Sequence, residues 1–235
     1  MSLLRYAQEA AYCERILAKS GLTILTATLP RAAAPTDWTH YPEGDVYDFE
    51  SGAHWYYHSH ASTGLAAASE TGEGASEPDA TAGLVATATA TLPSMAAPTS
   101  APGPEHGHFH CFVRPDGKDG PIHHLIAISV DAMGRLVRLF TVGRHVVDDV
   151  DLPVEDRIGL LARFDVQLDA PNYLVNRWLT AVVGLYQEEI TVLIREGAGR
   201  AARNPALDVT AQLETTLADK RLSLERVHAD EDDGC

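Results

Sequence analysis

Leu3, Tyr6, Ala10, Cys13 and Leu17 recur at the spacing of one helical face, while Glu9, Glu14, Arg15 and Lys19 fall elsewhere on the wheel. That pattern predicts an amphipathic first helix, ended by Ser20-Gly21. From Val46 to His60 the period changes to two. Trp55, Tyr57 and Ser59 share one face of a strand, and His54, Tyr56, His58 and His60 share the other. The alternation returns from Glu105 to Arg114, with Phe109, Cys111 and Val113 on one face and His106, His108 and His110 on the other. Leu125 to Val130 and Leu136 to Val142 predict two further strands, joined by a hairpin turn at Asp131-Ala132-Met133-Gly134.

The second half of the chain is patterned for helices. Ile158, Leu161 and Phe164 form a stripe behind Pro153. From Asn172 to Arg195 one long apolar face runs through Val175, Trp178, Leu179, Val182, Leu185, Tyr186, Ile190 and Leu193, and predicts a single helix closed by Gly197 and Gly199. Pro205 to Leu217 reads as a further helix and Arg221 to Val227 as a short edge strand. The fold class expected is α+β, a mainly antiparallel sheet of about four to five strands packed with N- and C-terminal helices.

Composition adds an interruption. Residues 61–103 are almost all Ala, Thr, Ser, Gly and Pro with a few acids, and have little to bury. This is expected to be a disordered low-complexity insertion in a single domain spanning residues 1–235. The end, residues 229–235, is expected to be an acidic frayed tail. The formal net charge is −15. About half of that excess sits in the insertion and tail, as Glu70, Glu73, Glu77, Asp79, Asp230, Glu231, Asp232 and Asp233. An acidic surface repels phosphate backbones and argues against nucleic acid as a partner. Neither a signal-peptide pattern nor an apolar run long enough to span a bilayer is present, so no membrane partner is expected. Cys13, Cys111 and Cys235 are sparse and widely spaced, which fits a reducing, cytoplasmic setting. Nothing in the pattern fixes an oligomeric state.

The chemistry points to histidine. Five of the eleven histidines lie in His58-x-His60 and His106-x-His108-x-His110. Histidines two apart on a strand sit about 6.7 Å apart on one face. Two such rings can converge on one metal with bonds of about 2.0–2.1 Å. The outer pair of the second run is about 13 Å apart, so at most two of those three can share an ion. With the insertion set aside, the two runs form a hairpin. If His60 lies opposite His106, then His58 lies opposite His108 and Tyr56 opposite His110. The expected metal-ligand pool is therefore His58, His60, His106, His108 and His110, with Glu105 and Asp45 as candidate catalytic carboxylates. Asp48 approaches from the same segment. Two histidines plus a carboxylate suit Fe(II), and three histidines suit Zn, so the cofactor expected is a transition metal, Fe or Zn. The plainer reading of such rings is hydrogen bonding or the lining of a polar groove.

Other candidates are weaker. His123 and His124 point to opposite faces, and His124 reads as structural. His40 opens a turn-rich segment, His40 to Asp45, that can fold over the histidines. Cys111 faces away from them, which disfavours a Cys/His nucleophile. No nucleophile elbow, P-loop or dinucleotide fingerprint occurs. Arg138, Arg144 and Arg177 read as salt-bridge residues first and anion ligands second. Three functional readings stand. The first is a metal-binding protein acting as a metal-dependent enzyme on a small molecule. The second is a non-catalytic protein that binds a metal or small ligand. The third is a metal-free enzyme with a histidine acid–base. The partner is a small molecule or metal ion in each.

The strings HYPEGDVYD (40–48), YYHSH (56–60), EHGHFHCF (105–112), HLIAIS (124–129), RLFTV (138–142) and VNRWLTA (175–181) resemble an uncharacterised bacterial family of unknown function. The resemblance covers most of the chain outside the insertion and tail. It implies one shared fold and a cytosolic bacterial setting, and supplies no substrate or cofactor. The family's histidine block falls on Glu105, His106, His108 and His110. The Ala/Thr-rich loop is longer here, and Gly143-Arg144-His145 stands where the family is expected to carry Asn-Arg-Trp.

Overall fold

A computed structural model describes residues 2–30, 36, 39–59, 103–143, 147, 149–203 and 213–216. His60, His145, all but Gly103 of the low-complexity stretch, the Arg221 to Val227 strand and the acidic tail lie outside the described residues.

Six strands form one sheet: β1 (His40–Tyr47), β2 (Ala53–Ser59), β3 (Glu105–Val113), β4 (His123–Asp131), β5 (Leu136–Thr141) and β6 (Leu213–Thr216). They lie in the order β1-β2-β3-β4-β5-β6 and every neighbouring pair is antiparallel. The helices are α1 (Leu3–Lys19), α2 (Ile24–Thr28), α3 (Val154–Leu160), α4 (Tyr173–Leu185) and α5 (Gln187–Arg203). A short 3-10 turn, Leu161–Arg163, continues α3. The α+β class and the antiparallel sheet follow the periodicity. No helix among the described residues is long and apolar enough to cross a membrane.

One face of the sheet carries the main core. Trp55, Tyr57, Phe109, Cys111 and Val113 are fully buried there with Trp178, Leu179 and Val182 of α4. Asn172 caps α4 by accepting from the N–H groups of Leu174 and Val175. The Trp55 indole N–H donates to Asn176 Oδ1 at 3.0 Å, tying β2 to α4. Trp178 packs against Phe109 and donates to Glu14 Oε1 of α1 at 2.8 Å. Arg177 is buried rather than on the surface, paired with Glu9 at 2.7 Å and with Asp165. A Cβ at Gly184 would lie 2.3 Å from the Tyr6 ring, so glycine at this position of α4 makes room for that ring from α1.

Four expectations need correction. The single helix over Asn172–Arg195 is two, because α4 ends at Leu185 with Tyr186 outside helical geometry and α5 begins at Gln187. The apolar stripe is nearly continuous through the break, so periodicity could not reveal it. Gly197 and Gly199 do not end α5, which runs to Arg203. The segment read as a helix from Pro205 to Leu217 contains β6, which pairs with β5. The turn-rich segment at His40 is itself an edge strand. Its register against β2 shifts between Tyr41 and Val46, where Gly44 and Asp45 adopt φ of 84° and 57°. An edge strand accommodates a proline that an interior strand does not.

Candidate metal centre

The other face of the sheet carries the histidines. β2 and β3 pair with Tyr56 opposite His110 and His58 opposite His108, the register expected from the alternation. Pairing of β1 adds His40 opposite His58, and pairing of β4 adds Ser129 opposite His108 and Ala127 opposite His110. Beside the rings, Tyr56, Phe112 and Val147 form a small apolar cluster with Ile122 and Val142. This patch helps remove the rings from water, and His108 and His110 are buried.

Three of the rings converge. One nitrogen from each of His58, His108 and His110 lies within 4.8 Å of the others, a group that could hold a metal ion. His108 Nε2 and His110 Nε2 are 3.0 Å apart. His108 Nδ1 is 2.9 Å from Glu105 Oε1. Glu105 Oε2 accepts from Arg138 Nε at 2.9 Å and Nη2 at 2.7 Å. Burial pushes the Glu105 carboxyl up, but the bond from His108 and the charges of His108 and Arg138 outweigh it and hold the group at about 2. Glu105 is therefore an anion that only accepts, so Nδ1 of His108 carries its proton. In the neutral ring that leaves Nε2 with the lone pair, aimed at the cluster.

Two β-bulges decide which residues join. Alternation alone puts His106 beside His108. The register slips between Glu105 and Gly107, so Glu105 reaches His108 instead. His106 turns to the Tyr57 hydroxyl at 2.8 Å and stacks on that ring. A Cβ at Gly107 would lie 2.4 Å from the Tyr57 hydroxyl and 2.1 Å from the His58 carbonyl oxygen, so this crossing also requires glycine. A second slip between Cys111 and Phe112 sets His124 opposite Phe112. His124 Nε2 then meets His110 Nδ1 at 3.1 Å. His124 thus joins the chain of rings although it reads as structural in the alternation; a bulge leaves no mark there, and the paired H-H at His123-His124 is its one signal. His123 instead bonds the Val150 carbonyl and sits near Asp149.

Burial first, then the charges of His108, His124, His58 and His40, hold His110 well below the usual histidine range. Burial, with Arg157 and His108, holds His124 at about 3. Both rings are neutral at neutral pH, the form that binds metal.

Asp45 is not in the cluster. Its Oδ1 is 2.8 Å from His40 Nδ1 and its Oδ2 is 3.1 Å from His54 Nε2. Burial raises its carboxyl, but the bonds from His54 and His40 outweigh that and hold it below the usual carboxylate range. Arg114 Nε donates to His54 Nδ1 at 3.2 Å, which fixes the proton of His54 on Nε2. A cavity of about 190 Å³ opens here, lined by Gly44, Asp45, Tyr47, His54, Arg114 and Lys118. Asp48 is buried elsewhere, accepting from the N–H groups of Glu50, Ser51 and Gln167. Cys111 lies on the core face and burial pushes its thiol up, away from a reactive thiolate.

Residues 4–73 and 96–225 match the model of a family described as a domain of unknown function (DUF6969). The unmatched residues between them fall within the Ala/Thr-rich stretch. No curated protein and no solved structure matches the chain.

Proposed function

Since the chain belongs to that family of unknown function, we propose its role from the site itself: it binds one transition-metal ion through His58, His108 and His110. The observation that carries this reading is the convergence of three imidazole nitrogens within 4.8 Å, two of them 3.0 Å apart. Around a tetrahedral ion with bonds of about 2.0–2.1 Å, ligand nitrogens stand about 3.3 Å from one another. The His108–His110 pair is close to that spacing before any ion enters, and His58 stands within 4.8 Å of both.

Glu105 supports this role from outside the ligand set. Both its oxygens are engaged, by His108 and Arg138, so it orients a ligand and raises its basicity. With the carboxylate occupied, three imidazoles remain. That set matches Zn better than the two-histidine-one-carboxylate arrangement of Fe(II) sites. Three ligands leave a position for water or a small molecule, and a bound water would be acidified toward neutrality. Metal-dependent chemistry on a small molecule follows from an open position, and a purely metal-holding role from a closed one.

The test is elemental analysis of protein purified without a polyhistidine tag and reconstituted with Fe(II), Zn(II) or Cu(II). About one ion per chain is expected, removable by chelation. Protein that stays metal-free under all three conditions would sink the reading. The 3.0 Å contact would then be an N–H···N hydrogen bond in a histidine-lined groove.

A further inference from the structure

We propose that His40 is a fourth, solvent-side ligand of the same ion, held ready by Asp45; this rests on the metal reading above. The pairing of β1 with β2 places His40 directly across from His58, with ring centroids 4.8 Å apart. His40 thus stands over the ligand from the adjacent strand, on the face that carries His108 and His110.

The hydrogen bonding of His40 repeats that of His108. His108 Nδ1 meets Glu105 at 2.9 Å, and His40 Nδ1 meets Asp45 at 2.8 Å. In each case a carboxylate accepts at Nδ1 and leaves Nε2 as the nitrogen with a lone pair. Carboxylate–imidazole pairs of this kind orient ligands in metal sites. Asp45 is in turn fixed from its other side by His54, whose proton is placed by Arg114. It is also the one positive-φ residue other than glycine among the described residues. A left-handed aspartate in a bulge, bonded to two histidines, is an unfavourable local geometry held in place by its partners.

Exposure assigns the direction of approach. The His40 side chain is 41% exposed, against 10% for His108. His40 therefore borders solvent while His108 and His110 are buried behind it. Its ring lies flat on Tyr56, with centroids 3.7 Å apart and 9° between the planes. Joining the ion requires the ring to move within that stack, a side-chain motion on an edge strand. A ligand at the solvent boundary is the one that an incoming small molecule displaces, so the assignment leaves small-molecule chemistry at the site intact.

Cobalt(II) is the probe, because its visible absorption reports the ligand set. The full chain is titrated with Co(II), and Zn(II) affinity is measured by competition, for wild type, His40→Ala and Asp45→Asn. His40→Ala is expected to bind Zn(II) about 10–100-fold more weakly and to show an altered Co(II) spectrum. Free imidazole should restore the wild-type spectrum, a rescue that a merely structural residue would not show. Asp45→Asn should weaken binding less and keep the wild-type band positions. If wild type binds no Co(II) or Zn(II), the metal reading itself fails. If wild type binds and His40→Ala matches it in affinity and spectrum, the metal site stands and the role of His40 is overturned. Lost affinity with an unaltered spectrum and no imidazole rescue also overturns it, leaving His40 a packing residue on Tyr56.

Discussion

The Nε2 atoms of His108 and His110 lie 3.0 Å apart on one strand, much closer than the distance between alternate residues on an extended strand, about 6.7 Å. The rings lean together because the bulges at either end of β3 aim their partners inward: Glu105 holds His108 from one side and His124 meets His110 from the other.

His110→Ala and His106→Ala should separate sharply although the two residues sit in one H-x-H-x-H run. Loss of His110 removes a converging nitrogen and should abolish stoichiometric metal. Loss of His106 removes its bond to Tyr57 and its stacking on that ring, at about 1 kcal/mol of stability for the bond, and no converging nitrogen. Metal content of the purified variants checks this. A metal-free His106→Ala protein that remains folded would contradict the placement seen here.

Acid should destabilise the metal-free protein from just below the ordinary histidine range. His124 is held at about 3 and His110 well below the ordinary histidine range, burial being the first cause for each. In the unfolded chain these rings take up protons near pH 6.5, and in the folded chain they do not. Their contribution is fully present above about pH 6.5 and is lost progressively as pH falls below it, for His124 down to about 3, by on the order of 1 kcal/mol per pH unit for a ring that stays neutral when folded. Glu105, held at about 2 against an ordinary 4.5, acts in the same direction at lower pH. Urea midpoints measured at pH 7.5, 6.5 and 5.5 should be level across the first step and drop across the second.

Glu105→Gln should fold, since an amide fits the same space, but should weaken metal binding by about 10-fold. The amide oxygen still accepts from His108 but no longer carries the charge that strengthens it as a ligand, and Arg138 loses its ion pair. Competition with a chromophoric chelator gives the affinity. Unchanged affinity would make Glu105 a partner of Arg138 alone.

Trp178→Ala should cost about 3–5 kcal/mol of stability. The ring is buried between α4 and the sheet and its N–H is bonded to Glu14, so truncation leaves a cavity and removes the tie to α1. Denaturant unfolding followed by circular dichroism measures the loss. A midpoint within error of wild type would mean that the surrounding core collapses onto the gap.

Much of this arrangement was legible in the chain because a period of two is unambiguous where both faces are buried. Trp55, Tyr57, Phe109 and Cys111 on one side, with His58, His108 and His110 on the other, follow from alternation alone. The departures all occur where the period slips. His106 leaves the cluster, and Glu105 and His124 enter it, through bulges that depend on hydrogen bonds between strands rather than on residue type. The pairing of His40 across from His58 was hidden in a stretch whose Pro42 and Gly44 read as a turn, because edge pairing has no hydrophobic signature of its own. The α4–α5 break was hidden for the opposite reason: Tyr186 and Ile190 are buried just as Val182 is, so apolar spacing carries straight across it.

The order of strands has a consequence for cleavage of the chain. β2 and β3 are neighbours in the sheet but are joined through the long stretch between Ser59 and Glu105. A protease cut in that stretch divides the protein into two polypeptides, one bearing His40 and His58 and the other His108 and His110. Backbone pairing and the shared core then hold the halves together, and a bound ion becomes a coordinate cross-link between them. If the site takes a metal ion as proposed, ion binding to the nicked protein would be read as resistance of the fragments to separation in denaturant.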